Sequence, residues 1–278
     1  MITAAQEDYI IRHAYLPEHV PEYVTAISGT EAFLFGNSLA YAGNGLLIFV
    51  GYPLGVPFEA NRMERDLEEA VKRLNPERVS LMAPSIPPAL GKGDHPPGDA
   101  YYRMDLSSAG IPQKTRNMLN RAGRELSVSI ISHFGTEHGR LVETFLRNRS
   151  PDEGTKFIFA RIDRYLLAAK TARIFEARTD RGELVAFDVA DFKPRDYALY
   201  MFNFRSEAHY VPGASDLLLS AMIRQAVAEG KRYLNLGLGI NPGVTFFKLK
   251  WGGVSFAPHA FCLYNPSRKG LLAMLFQR

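Results

Sequence analysis

The chain has 278 residues, 46% of them hydrophobic and 22% charged, with 33 basic and 29 acidic residues and a net charge of +4. That composition fits one large globular domain or two modest ones, and the interleaved charges permit an anionic partner without requiring one. The single cysteine, Cys262, excludes an internal disulfide and any multi-cysteine metal site, and its neighbours Phe261 and Leu263 predict a packed thiol.

In chain order, the start "MITAAQEDYI" lacks the basic-then-apolar pattern of a signal peptide, which predicts a cytoplasmic protein. Residues 32–42 and 45–52 read as two strands flanking the turn Gly43-Asn44-Gly45. Residues 61–75 follow as an amphipathic helix with Met63, Leu67, Val71 and Leu74 inward. Residues 78–84 are a strand, 84–98 a proline- and glycine-rich loop, and 101–106 another strand. Segments 112–126, 137–148 and 160–172 are helical by pattern. The order then repeats. Strands over 172–179 and 183–192 pair across Asp180-Arg181-Gly182, and 197–204 adds a third. Residues 215–230 form a helix capped by Ser215 or Asp216 and buried on more than one side. Strands over 232–238 and 254–265 close the pattern.

This arrangement predicts two similar α/β modules with mixed sheets, each crossed by a helix, dividing near residue 110 into 1–110 and 111–278. The stretch "LNLGLGINPGVTFFKLKWGG" invites a dinucleotide-binding reading, which fails. The glycine after Gly237 and Gly239 is Gly243, one residue late, and no long helix follows.

A helix ending at Gly230, the strand "YLNLGLG", a glycine turn and "FFKLKWGG" resemble the carboxy-terminal module of GNAT-fold acyl- and aminoacyltransferases. Phe247-Lys248 to Gly253 is similar to the motif of Fem-type aminoacyltransferases, and "LNLGL" to the lysyl-phosphatidylglycerol synthase catalytic domain. The segment "YYRMDLSSAGIPQKTRNMLNRAGRELSVSI" also resembles Fem-type enzymes, so the likeness covers roughly residues 100 to 265. It implies tandem GNAT-like modules, with the better site in the second. It further implies a splay between the strands at 197–204 and 232–238, holding an acyl donor. The activity implied is acyl or aminoacyl transfer to an amine. The alternative is a GNAT-shaped binding protein without chemistry.

On this map Lys248 polarises a carbonyl or holds a phosphate, whereas Lys250 reads as a solvated charge. Asn203, Phe204, Arg205, Gly213 and Asn235 are the donor-binding candidates, with backbone N–H groups near 203–205 facing the oxyanion. His209 and Tyr210 are candidate proton carriers; Asp216 reads as a helix cap and Tyr200 as core. The loop "RSEAHYVPGASD" has one glycine where CoA-dependent relatives place several to cradle pyrophosphate. That disfavours acyl-CoA and favours aminoacyl-tRNA or another carrier as donor, with no tightly bound cofactor. Lys114, Arg121 and Arg124 form a basic face suited to a phosphate-bearing acceptor or tRNA. His133 and His138 lack metal-pair spacing, so no metal site is expected, and no serine lies in Gly-x-Ser-x-Gly. The tail "NPSRKGLLAMLFQR" predicts a short docked helix, with membrane-surface contact as the sharper alternative.

Overall fold

The computed structural model describes residues 2–90, 99–107 and 113–266. The tail at 267–278 therefore lies outside the described residues, as does the Lys114 side chain. Helices α1 (Ala4–His13) and α2 (Pro21–Ser28) lead into strands β1 (Glu31–Phe35), β2 (Ser38–Gly43) and β3 (Leu46–Val50). The turn before β3 uses positive φ at Asn44 and Gly45, as its sequence predicts. The single strand expected over 32–42 is instead a hairpin, because Gly36 (φ +52) turns the chain between β1 and β2.

Helix α3 (Ala60–Leu74) crosses to β4 (Arg78–Ala83), and β5 (Ala100–Asp105) follows. Then come α4 (Gln113–Ala122), β6 (Leu126–Ile131), α5 (Thr136–Arg149), α6 (Glu153–Phe159) and α7 (Ile162–Ala168). Strands β7 (Ala172–Thr179), β8 (Leu184–Asp191) and β9 (Tyr197–Arg205) lead through helix α8 (Ala214–Ala228) to β10 (Tyr233–Leu238). Helix α9 (Pro242–Lys250), β11 (Val254–Pro258) and β12 (Ala260–Tyr264) complete the described chain. The last strand expected over 254–265 is thus two strands, and they enter different sheets.

The first sheet has the order β1-β2-β3-β4-β12 and the second β11-β5-β10-β9-β8-β7-β6. Each contains one parallel pair, β3/β4 or β9/β10, joined by a crossover helix. Each also takes a strand from the other half of the chain. β5 lies between β11 and β10, while β12 pairs with β4.

Helix α8 buries Leu218, Leu219, Met222 and Ala226 against one face of the second sheet, with Ala186, Ala198, Leu234 and Trp251. The opposite face of β7–β9 is covered by α2, α5 and α7 through Ile27, Val142, Tyr165 and Phe187. Ile10 and Leu16 fill the space between the sheets with Tyr41, Tyr52 and Tyr101. The chain thereby has two α/β units that share one apolar cluster between their sheets.

Candidate active site

The two parallel pairs differ in one respect. β3 and β4 stay in register over five consecutive pairs, from Leu46↔Arg78 to Val50↔Met82. β9 and β10 pair at Tyr197↔Tyr233, Ala198↔Leu234 and Leu199↔Asn235, then part. Both strands bulge at that level. Opposite β8, β9 carries Met201 as an extra residue, and opposite β5, β10 carries Leu236. A bulge sharpens local twist and leaves backbone unpaired, so two at one level open a cleft between strand ends.

The Asn235 side chain fixes the second bulge. It is fully buried; its Oδ1 accepts the Gly237 N–H at 2.7 Å and its Nδ2 donates to the Tyr15 carbonyl at 2.6 Å. The expectation that Asn235 binds the donor is corrected on that ground, because both ends of its amide are committed inside the protein. Gly237 needs its φ of +77, a conformation that strains any residue with a Cβ.

Beyond β10, Asp99 holds the turn by accepting the Gly239 N–H at 2.8 Å and the Ala100 N–H at 2.7 Å. Asn241 then caps α9 by accepting from the Gly243 and Val244 amides, each at 3.0 Å, and Pro242 occupies the first helical position. This short helix carries Lys248 inward. Lys248 is 4% exposed, donates from Nζ to the Leu238 carbonyl and stands 6.0 Å from the Tyr102 ring centre. Burial pulls its pKa down to about 7, with the Asp99 charge offsetting part of the effect. Among the described residues no carboxylate lies within ion-pair distance of it. A buried cation without a counter-ion is costly unless a negative charge arrives to meet it.

Lys250 is not a solvated charge. Its Nζ lies 2.5 Å from Asp216 Oδ1, which also accepts the Trp251 indole N–H at 2.7 Å. Asp216 is correspondingly not the helix cap; Gly213 (φ +86) occupies that position, and the buried Asp216 carboxylate in the first turn ties α8 to the end of α9. A Cβ on Gly213 would stand 2.9 Å from Met118 Cγ and 3.3 Å from Ala122 Cβ, so α4 packs over the start of α8. Arg121 and Arg124 are exposed on and just beyond α4.

Asn203 does face the start of α8. Its amide donates to Asp188 at 2.5 Å and to Ser215 Oγ at 3.2 Å. Asp188 was not legible as a site residue, although an acid at an alternating position of the apolar run "LVAFDVADF" is a signal of sorts. It is fully buried, and burial pushes it up to about 8 despite hydrogen bonding from Asn203 and Tyr200. Tyr200, expected as plain core, is therefore part of a polar network at the mouth of the splay.

The Phe204 side chain is 1% exposed and packs on Phe187, Phe145 and Phe159 on the face away from α8, so it cannot touch a donor there. Arg205 lies 5.8 Å from the exposed Tyr210 ring, while His209 Nδ1 sits 3.7 Å from Glu183 Oε1. Among the described residues no hydrogen bond or ion pair joins His209 or Tyr210 to Lys248. His138 is buried against Glu176 at 2.7 Å, and Arg178 bonds the same carboxylate, a closed structural cluster. No group of three or more metal-ligating side chains occurs among the described residues.

Residues 113–248 match the model of the family described as acetyltransferase (GNAT) domain. The chain has a tandem GNAT fold. Several solved structures share it. FemX superposes with a TM-score of 0.65 at 10% identity, covering 100% of this chain and 99% of that one. L-PGS from Bacillus licheniformis gives 0.59 at 13%, covering 99% and 98%. A tandem GNAT protein from the clavulanic acid biosynthesis pathway gives 0.51 at 12%, covering 83% and 80%. At such identities the likeness is one of fold. No curated protein matches the sequence. Among the described residues no helix is long and apolar enough to cross a membrane.

Proposed function

We propose that the second GNAT unit transfers an activated acyl or aminoacyl group to an amine within the splay, with Lys248 as the cation that meets the developing oxyanion. The observation that carries this reading is a lysine 4% exposed, without an ion-pair partner among the described residues, beside the opening between β9 and β10. The amine nitrogen attacks the carbonyl carbon, and the carbonyl electrons move to oxygen. The new C–N bond remains when the donor's C–O or C–S bond breaks. One proton leaves the amine and one reaches the departing oxygen or sulfur, so the reaction is balanced without a cofactor. A preorganised cation in a desolvated site stabilises that oxyanion far more than one in water.

His209 and Tyr210, in the loop after β9, are the candidates for moving the proton. A donor other than CoA is favoured by the packing of Met118 and Ala122 on Gly213, where a phosphate-cradling loop would otherwise lie. Aminoacyl-tRNA is such a donor, and the exposed Arg121 and Arg124 supply charge for a phosphate-bearing acceptor or the tRNA itself.

The test is to incubate the purified chain with a panel of CoA thioesters and charged tRNAs, reading protection from thermal unfolding and amide product by mass spectrometry. Product from at least one donor, lost in Lys248→Met, supports the proposal. Absence of both protection and product across the panel would leave a GNAT-shaped binding protein instead.

A further inference from the structure

A cavity of about 470 Å³ opens away from the splay, between α1, the loop after β3, and the second sheet. It reaches that sheet on the face opposite α8. Arg103 of β5 lines it, whereas the alternate residues Tyr102 and Met104 pack under α8. Three arginines line the cavity against one acid, Asp196. Arg12 is paired with Asp8 at 2.6 Å, and Arg195 with Asp196 at 3.0 and 3.1 Å. Arg103 is different. It is half-buried, and among the described residues no carboxylate lies within ion-pair distance of it, the exposed Asp105 acting on it only at longer range. One N–H reaches the Tyr197 hydroxyl at 2.9 Å. Its guanidinium lies 4.6 Å from the Tyr233 ring centre and 5.2 Å from that of Phe256. These rings orient the guanidinium without neutralising it, and among the described residues the Tyr197 hydroxyl takes up only one of its five N–H donors. Beside it the lining carries four aromatic rings, from Tyr15, Tyr197, Phe58 and Phe256.

We propose that this cavity is a second binding site, taking a small aromatic anion whose phosphate or carboxylate meets Arg103 and whose ring lies against the aromatic wall. The volume suits a ligand of mononucleotide size. Guanidinium forks match planar or tetrahedral oxyanions, and a ring needs a π-face to stack on, so the two features select for both in one molecule. The site stands independently of transfer chemistry in the splay, because no side chain that lines it is assigned a part there; Tyr15 meets Asn235 only through its main-chain carbonyl.

Calorimetric titration of the full chain with adenosine monophosphate and 4-hydroxybenzoate tests it, with adenosine and inorganic phosphate as ring-only and anion-only controls. The two ring-bearing anions separate a nucleotide source from an aryl carboxylate source. At least one should bind, with each control about tenfold weaker or more, and Arg103→Ala should cost the tight ligand about tenfold or more. Arg103→Lys, which keeps the charge but not the fork, should recover affinity only in part. If Arg103→Ala does not fold, Phe58→Ala in the loop reads the ring contact on its own and should weaken the aromatic anions but not phosphate. Failure of both aromatic anions to bind folded wild-type protein at millimolar concentration would overturn the proposal. So would phosphate binding as tightly as they do, or affinities unchanged in the folded variants.

Discussion

Replacing Lys248 with methionine should stabilise the protein while removing its activity, and the size of the effect follows from the burial of the amine. Its pKa is held at about 7 against 10.5 for an ordinary lysine. At ~1.4 kcal/mol per tenfold, the site opposes the charged form by roughly 5 kcal/mol. At neutral pH the unfolded chain is fully protonated there and the folded one about half, so on the order of 4 kcal/mol opposes folding. Methionine keeps the stem but leaves the Leu238 carbonyl without its donor, a loss of about 1–3 kcal/mol. The variant should therefore gain about 1–3 kcal/mol near pH 7. The folded pKa lies below the unfolded one, so between about 7 and 10.5 the unfolded chain binds more protons. The Lys248 contribution to wild-type stability rises with pH across that window, so the variant's advantage vanishes within it and reverses near its top, where the orphaned Leu238 carbonyl alone remains. Urea unfolding of both proteins at about pH 7, 8 and 9.5 measures the gap directly. Turnover should fall by about a hundredfold or more, and wild-type kcat/KM should decline as pH rises through about 7 and the cation is lost. A variant less stable than wild type, with a gap that does not move with pH, would refute the buried-cation argument. A rate that climbs through pH 7 would make Lys248 a base instead.

Asp188 gives the opposite slope: its folded value of about 8 lies above the ordinary 3.8, so its own contribution to stability falls as pH rises through that window. Asp188→Asn should flatten the fall, and parallel unfolding curves for the two proteins at pH 5 and 8 would contradict this. Asp216→Ala leaves the Trp251 indole and the Lys250 ammonium without their shared acceptor and should cost about 2–4 kcal/mol. Trp251 is the sole tryptophan, so its fluorescence reports the loosening locally, and an unchanged spectrum and urea midpoint would count against it. Gly213→Ala combines a φ of +86 with a Cβ 2.9 Å from Met118 Cγ and should cost about 1–2 kcal/mol, read as a lowered Tm.

Local patterning made part of this molecule legible. The Asn44-Gly45 turn, the inward stripe Met63, Leu67 and Val71, and the helix α8 are decided by residues close in sequence, and all are present, although Val227 of α8 faces outward. The destinations of β5 and β12 are not decided that way, because strand pairing across the chain leaves no periodic mark on either partner. The break at Gly36-Asn37 was hidden by apolar residues on both sides of it. In the candidate site, the aromatic-lysine motif drew attention to Lys248, but its burial could not be read there, because it runs against the strong tendency of lysine to stay in water. Asn235 and Asp216 look like cleft and cap residues by position, and only the three-dimensional partners Tyr15, Lys250 and Trp251 show them to be ties.

The first unit offers an internal comparison for what the splay is for. Both units join a parallel pair by a crossover helix, so the connection does not by itself force strands apart. In the first, β3 and β4 remain zipped through Val50↔Met82. In the second, pairing stops after Leu199↔Asn235, where Met201 and Leu236 are each inserted against the neighbouring strand. Parting two inner strands forgoes ladder hydrogen bonds and leaves backbone groups in need of partners, so it costs stability rather than adding it. Around the same opening lie Lys248 of α9, with no carboxylate within ion-pair distance among the described residues, and a carboxyl pushed up to about 8. Three separately unfavourable features lie around one opening, in the unit whose sequence matches the GNAT domain, and the zipped unit shows that the connection does not require the opening. Costs concentrated in this way support the proposal that the opening serves binding and chemistry rather than stability.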